Sequence, residues 1–148
     1  NQLISDAVNK IHQKEIQHGG DTLDFYCDFQ EKMDKIKFDL LSCLLELKEK
    51  HKTIIAYGAA AKGNTIMNFS GIRPDLIPFV VDRNPNKLGK FMPGSRIPIV
   101  DESIIREKRP EYILIFPWNL KSEIKAQLSY IRDWGGQFIV AVPNLEIF

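Results

Sequence analysis

Charge of one sign is missing from this sequence. Twenty Lys+Arg face nineteen Asp+Glu over 148 residues, a net charge of +1. Nucleic-acid binding normally needs a strong basic excess, so no nucleic-acid partner is expected. No run of 18 apolar residues occurs, so no membrane span is expected either. A secretory leader, with its basic start, apolar stretch and small-residue cleavage site, is also missing. Cysteine is scarce, with Cys27 and Cys43 alone, and histidine is limited to His12, His18 and His51. Neither C-x-x-C nor H-E-x-x-H spacing appears, so a zinc site built by this chain alone is not expected. Each histidine reads as a solvated helix residue. The two cysteines lie in one helical pattern, about 24 Å apart along a straight helix. That is too far for a disulfide, so they read as free, buried thiols in a reducing cytoplasm. The first residue is Asn1 rather than Met, which suggests a piece of a longer polypeptide.

What is present divides near residue 51. Residues 1–51 hold ten acidic and seven basic residues, no proline and only Gly19 and Gly20. Leu3, Ile4, Val8 and Ile11 have helical spacing, which predicts a helix over 2–17. His18-Gly19-Gly20 stops it, and Asp21 or Thr22 can cap the next helix. That second helix, 22–50, carries Tyr26, Phe29, Met33, Ile36, Leu40, Leu44 and Leu47 on steps of three and four. Such a stripe packs on a core or on another helix. Packing against the domain that follows is the expectation, with a homodimer as the other outcome.

From residue 53 the period changes. Apolar, β-rich runs occur at 53–57, 77–82, 112–116 and 137–142, with a weaker one at 97–100. They are apolar throughout rather than alternating, which suits strands covered on both faces. Helical segments fall at 63–70, 101–107 and 120–134. This cadence predicts βαβ units, hence a Rossmann-like α/β fold with a parallel sheet flanked by helices over 52–148. One short and one long helix, 1–51, lead into it.

The sharpest local feature is Tyr57-Gly58-Ala59-Ala60-Ala61-Lys62-Gly63-Asn64-Thr65, which follows the first strand and opens a helix. Phosphate groups bind at such places because a helix start presents unpaired N–H groups and partial positive charge. The pattern G-x-A-x-x-G is one change from the dinucleotide fingerprint. Asp82 falls near the spacing of an acidic residue that reaches a ribose hydroxyl. Ala60, in place of the glycine that admits a pyrophosphate, weakens a plain NAD reading. The alternative is that Gly58 and Gly63 serve only a tight turn and close helix–strand packing. A basic loop follows the second strand: Asp82-Arg83-Asn84-Pro85-Asn86-Lys87-Leu88-Gly89-Lys90, then Arg96. Pro117-Trp118-Asn119 ends another strand. Trp118 offers a stacking face or a core cover, and Asn119 offers a donor and an acceptor. All three loops should meet at the carboxyl edge of the sheet.

The wording of three segments goes further. YGAAAKGNT at 57–65, FVVDRNPNKLGKFMPGSRIPI at 79–99 and RPEYILIFPWNLKSEI at 109–124 occur in order. Gly135-Gly136-Gln137-Phe138, a strand and Pro143 close the chain. Together, residues 22–148 resemble the C-terminal domain of the SAM-dependent sugar C-methyltransferases, which methylate nucleotide-linked deoxysugars. The resemblance implies a three-part parent: a zinc-binding start, a catalytic domain that carries SAM, and this Rossmann-like domain closing over the nucleotide sugar. The zinc cysteines and a D/E-x-G-x-G-x-G loop for SAM are absent from this sequence. The resemblance therefore places zinc, SAM and the catalytic groups in an N-terminal part outside this chain, with residues 1–20 leading out of it. It marks Gly58, Lys62, Gly63, Asn64, Asp82, Arg83, Asn84, Pro117, Trp118 and Asn119 as facing the nucleotide-sugar cleft. Lys62 and the loop N–H groups would meet the diphosphate, Asp82 and Asn119 hydroxyls, and Trp118 a base or sugar. No catalytic residue and no cofactor is expected in this chain alone. The competing readings are an NAD-binding Rossmann domain of an oxidoreductase or sensor, and an α/β domain serving only for interactions.

Overall fold

The computed structural model describes residues 5–148. The chain forms two compact units, one ending at Lys35 and the other spanning Ile36–Phe148.

The first unit is helical. Helix α1 runs Asp6–Gln17 and stops at His18, whose N–H bonds back to Lys14; Gly19 then takes a left-handed φ of 78°. The expected start at residue 2, with Leu3 and Ile4, lies outside the described residues. The expected helix 22–50 is two helices: α2, Asp24–Cys27, and α3, Phe29–Glu49. Neither Asp21 nor Thr22 caps α2. Leu23 holds the cap position without a side-chain bond, because the Thr22 hydroxyl donates to the Gly19 carbonyl at 2.7 Å and closes the turn instead. Cys27 is exposed, contrary to the buried thiol expected, and Cys43 is buried. With Asp28 breaking the helix after Cys27, the straight-helix distance between the two thiols does not apply.

Helix α3 crosses the boundary. Its exposed Phe29 belongs to the first unit; Leu40, Cys43, Leu44 and Leu47 are buried in the core of the second. The two compact units meet in sequence within this helix, at Lys35 and Ile36. Leu40 and Leu44 have no exposed surface.

The second unit is built on a six-stranded sheet of order β3-β2-β1-β4-β5-β6. The strands are β1 Ile54–Tyr57, β2 Val80–Val81, β3 Ile99–Val100, β4 Tyr112–Ile115, β5 Gln137–Val140 and β6 Glu146–Ile147. The first five pair in parallel, and β6 adds an antiparallel edge that the apolar runs did not announce. Side chains alternate along each strand between two cores. Ile54, Ala56, Val80, Leu114 and Ile139 face one, with α3 and α4 (Ala61–Ser70). Ile55, Tyr57, Val81, Ile113, Ile115 and Phe138 face the other, with α5 (Ser103–Lys108) and α6 (Lys121–Gln127). This is the alternation of a sheet covered on both faces, so each strand reads as continuously apolar. The expected helix 120–134 is broken into a 3-10 turn at Trp118–Leu120, α6, and a second 3-10 turn at Ser129–Trp134 that ends on left-handed Gly135.

Candidate functional site at the switch point of the sheet

Strand order reverses between β1 and β4, the place where open α/β sheets bind ligands beyond the carboxyl ends of the strands. The glycine loop leaves β1 there and the Pro117-Trp118-Asn119 turn leaves β4.

The two glycines of the loop have packing reasons of their own. A Cβ on Gly58, which sits at φ 91°, would lie 2.6 Å from Pro117 Cδ. A Cβ on Gly63 would lie 2.4 Å from the Phe116 ring. Both glycines therefore let α4 and its loop close onto the end of β4. Ala60 at the helix start provides no side-chain cap.

Asp82 ties the loop to the end of β2. Its Oδ2 accepts the Ala59 N–H at 2.8 Å and the Lys87 ammonium at 3.0 Å, and its Oδ1 accepts the Asn84 N–H at 2.8 Å. Lys87 also donates to the Ala59 carbonyl at 2.9 Å. Asn84 in turn accepts the Asn86 N–H at 3.0 Å and shapes the turn. Asp82, Asn84 and Lys87 thus form one brace under the glycine loop. The spacing of Asp82 drew attention to a ribose contact; the carboxylate is already engaged by three protein donors.

Lys62, Trp118 and Asn119 come together on the open side. The Lys62 ammonium donates to Asn119 Oδ1 at 2.8 Å and stands 5.1 Å from the centre of the Trp118 ring. Lys62 is exposed and Trp118 half-buried, with its body packed on the core beside α6. Trp118 therefore covers part of the core and keeps part of its surface exposed. One ammonium proton of Lys62 is used, which leaves two donors for an anion. Asn64, two residues further along α4, lines a groove of about 410 Å³ with Ala59, Lys87, Lys90, Phe91 and Met92.

Arg83 is not drawn into this group. Its Nε lies 3.5 Å from Glu102 Oε2. Glu102 belongs to a cluster that the sequence did not reveal. The Tyr57 hydroxyl donates to Glu102 at 2.7 Å, and Gln127 donates to both Glu102, at 2.8 Å, and the Tyr57 oxygen. Burial, then the Glu102 carboxylate, pushes the Tyr57 phenol well above its ordinary range, so it stays a donor. These residues are 45 and 70 positions from Tyr57, and no local spacing signals their meeting. Lys87 did carry a local signal, as a cation five residues after Asp82 in a turn.

Among the described residues, no three His, Cys, Asp or Glu side chains gather where they could hold a metal, and no helix is long and apolar enough to cross a membrane. The described residues do not fit a zinc site.

A doubly covered, mainly parallel sheet with a braced glycine loop and a cationic, aromatic edge at its switch point defines a Rossmann-like α/β domain. Residues 1–143 match the C-methyltransferase C-terminal domain family, and the chain belongs to that family. It is 30% identical over 144 residues to C-methyltransferase NovU from Streptomyces niveus, which covers 97% of this chain and 34% of the relative. The chain thus spans about a third of the length of the curated relative it matches.

Proposed function

We propose that this chain is the nucleotide-sugar-binding C-terminal domain of a SAM-dependent sugar C-methyltransferase. It closes over the substrate while an N-terminal part of the same polypeptide binds SAM and carries the catalytic groups. The observation that carries this reading is the meeting of Lys62, Trp118 and Asn119 at the switch point. A nucleotide sugar presents a diphosphate, a planar base and hydroxyls. An ammonium with free donors, an indole face and an amide answer those three features in turn.

SAM supplies the methyl group. C-methylation beside a keto group also needs a positioned base, and no side chain of this domain is assigned that task. The domain's contribution is to bind and orient: Lys62 neutralises the diphosphate and Trp118 stacks on the base or sugar. Asn119 fixes a hydroxyl, and the Asp82–Lys87 brace holds the glycine loop in shape. Holding the sugar at a fixed angle lowers the entropic part of the barrier.

Calorimetric titration of the chain with dTDP-, GDP- and CDP-sugars, and with NAD(H), tests the reading. A nucleotide sugar should bind and NAD(H) should not. Lys62→Ala should weaken the sugar affinity by roughly tenfold or more, as loss of a charge-assisted hydrogen bond does, with thermal stability unchanged. Binding of NAD(H) with no response to any nucleotide sugar would overturn the proposal. So would methyl turnover by this chain alone.

A further inference from the structure

The groove of about 410 Å³ beside the glycine loop has a lopsided chemistry. Phe91 lines it and is 62% exposed, a flat ring open to stacking. Its polar side chains are Asn64, Lys87 and Lys90, and no carboxylate lines it. Lys87 is engaged with Asp82 and the Ala59 carbonyl. Lys90 is exposed, and its ammonium has no partner among the described residues. Asn64 Oδ1 accepts from the Asn68 amide at 3.3 Å, which leaves the Asn64 amide protons free. Carbonyls along the groove are taken as well. That of Lys90 accepts the Ile99 N–H, that of Met92 the Arg96 N–H, and that of Pro93 the Asn68 side chain. The free side-chain groups of the groove are therefore donors.

Sheet order places this groove and the Trp118 turn on opposite sides of β1. The groove takes Lys87, Lys90 and Phe91 from the connection between β2 and β3 and Ile99 from β3, whereas Trp118 and Asn119 follow β4. From β3 to β4 is three strand spacings, about 14 Å. A single ring cannot fill both places; a ligand with two ends and a linker can. Within the groove, Lys87 bonds to the glycine loop and marks the near end. Lys90 pairs through its backbone with the edge strand β3 and marks the far end. We propose that this groove seats the base of the nucleotide sugar, stacked on Phe91, and that Lys90 and Asn64 select a base with a carbonyl oxygen on the edge remote from the ribose. Uracil, thymine and guanine carry that oxygen; cytosine and adenine carry an amino group there. The inference rests on the reading of the chain as a nucleotide-sugar-binding domain, and it assigns the base to Phe91 and the sugar to Trp118. A donor that faces the carbonyl gains a charge-assisted hydrogen bond. Against an amino group the same donor has no acceptor.

Heteronuclear NMR titration of the 148-residue chain with UDP, with CDP and with the nucleotide sugars named above tests this. UDP, which has no sugar, should shift the backbone amides of Asn64, Lys90, Phe91 and Met92 and leave the Trp118 indole N–H in place. The indole should move only with a nucleotide sugar. CDP differs from UDP at the ring edge and should bind about tenfold more weakly, the loss of one hydrogen bond to a charged group. Phe91→Ala should weaken UDP about fivefold or more, as loss of a stacking partner does, with the melting temperature unchanged. Lys90→Gln, whose amide both donates and accepts, should bring the UDP and CDP affinities together. Equal affinity for UDP and CDP in the unaltered chain overturns the proposal. So does a nucleotide sugar that shifts the indole and leaves the groove amides unmoved; both results leave the nucleotide-sugar reading standing. UDP seated in the groove, with no further shift from any attached sugar, does the reverse: the base seat stands and the sugar side of that reading falls. Silence towards every nucleotide and nucleotide sugar overturns both.

Discussion

The two units use apolar residues in opposite ways. Among the described residues, the unit ending at Lys35 exposes nearly all of its large apolar side chains, while the unit from Ile36 onward sinks most of them into two cores, one on each face of a sheet. Composition does not separate them, for Ile11 and Ile105 are the same residue type with exposures of 59% and 0%. What separates them is the presence of a sheet. Strands bring residues from distant positions into one plane, whereas two short consecutive helices bring together only their neighbours. Helix α3 shows the contrast within one element: Phe29 at its start is exposed and Leu44 about three-quarters along is buried.

The comparison can be broken first by truncation. Leu44→Ala should lower unfolding free energy by about 2–5 kcal/mol, the range for a buried leucine. Phe25→Ala in the same chain should change it by under about 0.5 kcal/mol, as exposed positions do. Urea denaturation followed by far-ultraviolet circular dichroism measures both, and similar losses would show that the helical unit has a core after all. Next in size, Gly63→Ala places a methyl against the Phe116 ring. It should cost about 1–3 kcal/mol, because overpacking forces helix and strand apart. The opposite result, a gain from better helix propensity, would mean that α4 can slide on β4.

The smallest effect lies at the far end of β1. Glu111 accepts Lys52 at 2.7 Å and the Thr53 N–H at 3.0 Å, and these bonds hold its carboxyl below its ordinary value of 4.5. A carboxyl with a depressed folded value adds stability that is present above the unfolded value and lost as pH falls through the folded one. Glu111→Gln should therefore flatten the acid limb of the stability curve below about pH 4.5 and change little at pH 7 beyond the loss of the ion pair. The pair is part-exposed, so the effect should stay under about 1 kcal/mol. Urea midpoints from pH 3 to 7 measure it.

The strands of the sheet were legible because both faces are covered, and doubly buried strands read as unbroken apolar runs. Their order was legible in part, as strands one and two are neighbours. Strand β6, with exposed Glu146 and Ile147, was not legible, since an edge strand needs no apolar pattern. The helix expected over 22–50 failed at Asp28 because helical periodicity survives a one-residue break. In the candidate site, the glycine loop, Asp82 and the Pro117-Trp118-Asn119 turn were all visible as local motifs. Close helix–strand packing was one of two readings of Gly58 and Gly63, but its partners Pro117 and Phe116 were not legible, because they lie more than fifty residues away.

By itself the sequence determined the five parallel strands, their doubly covered sheet, and which loops lie at its carboxyl edge. Those properties follow from local periodicity and from short motifs. The tertiary structure alone decided that Asp82 braces the glycine loop, that Lys62 meets Asn119 and Trp118, and that Tyr57, Glu102 and Gln127 share hydrogen bonds. The physical reason is distance along the chain. Hydrogen bonds and ring contacts reach only a few ångströms, and only strand pairing brings residues tens of positions apart within that reach.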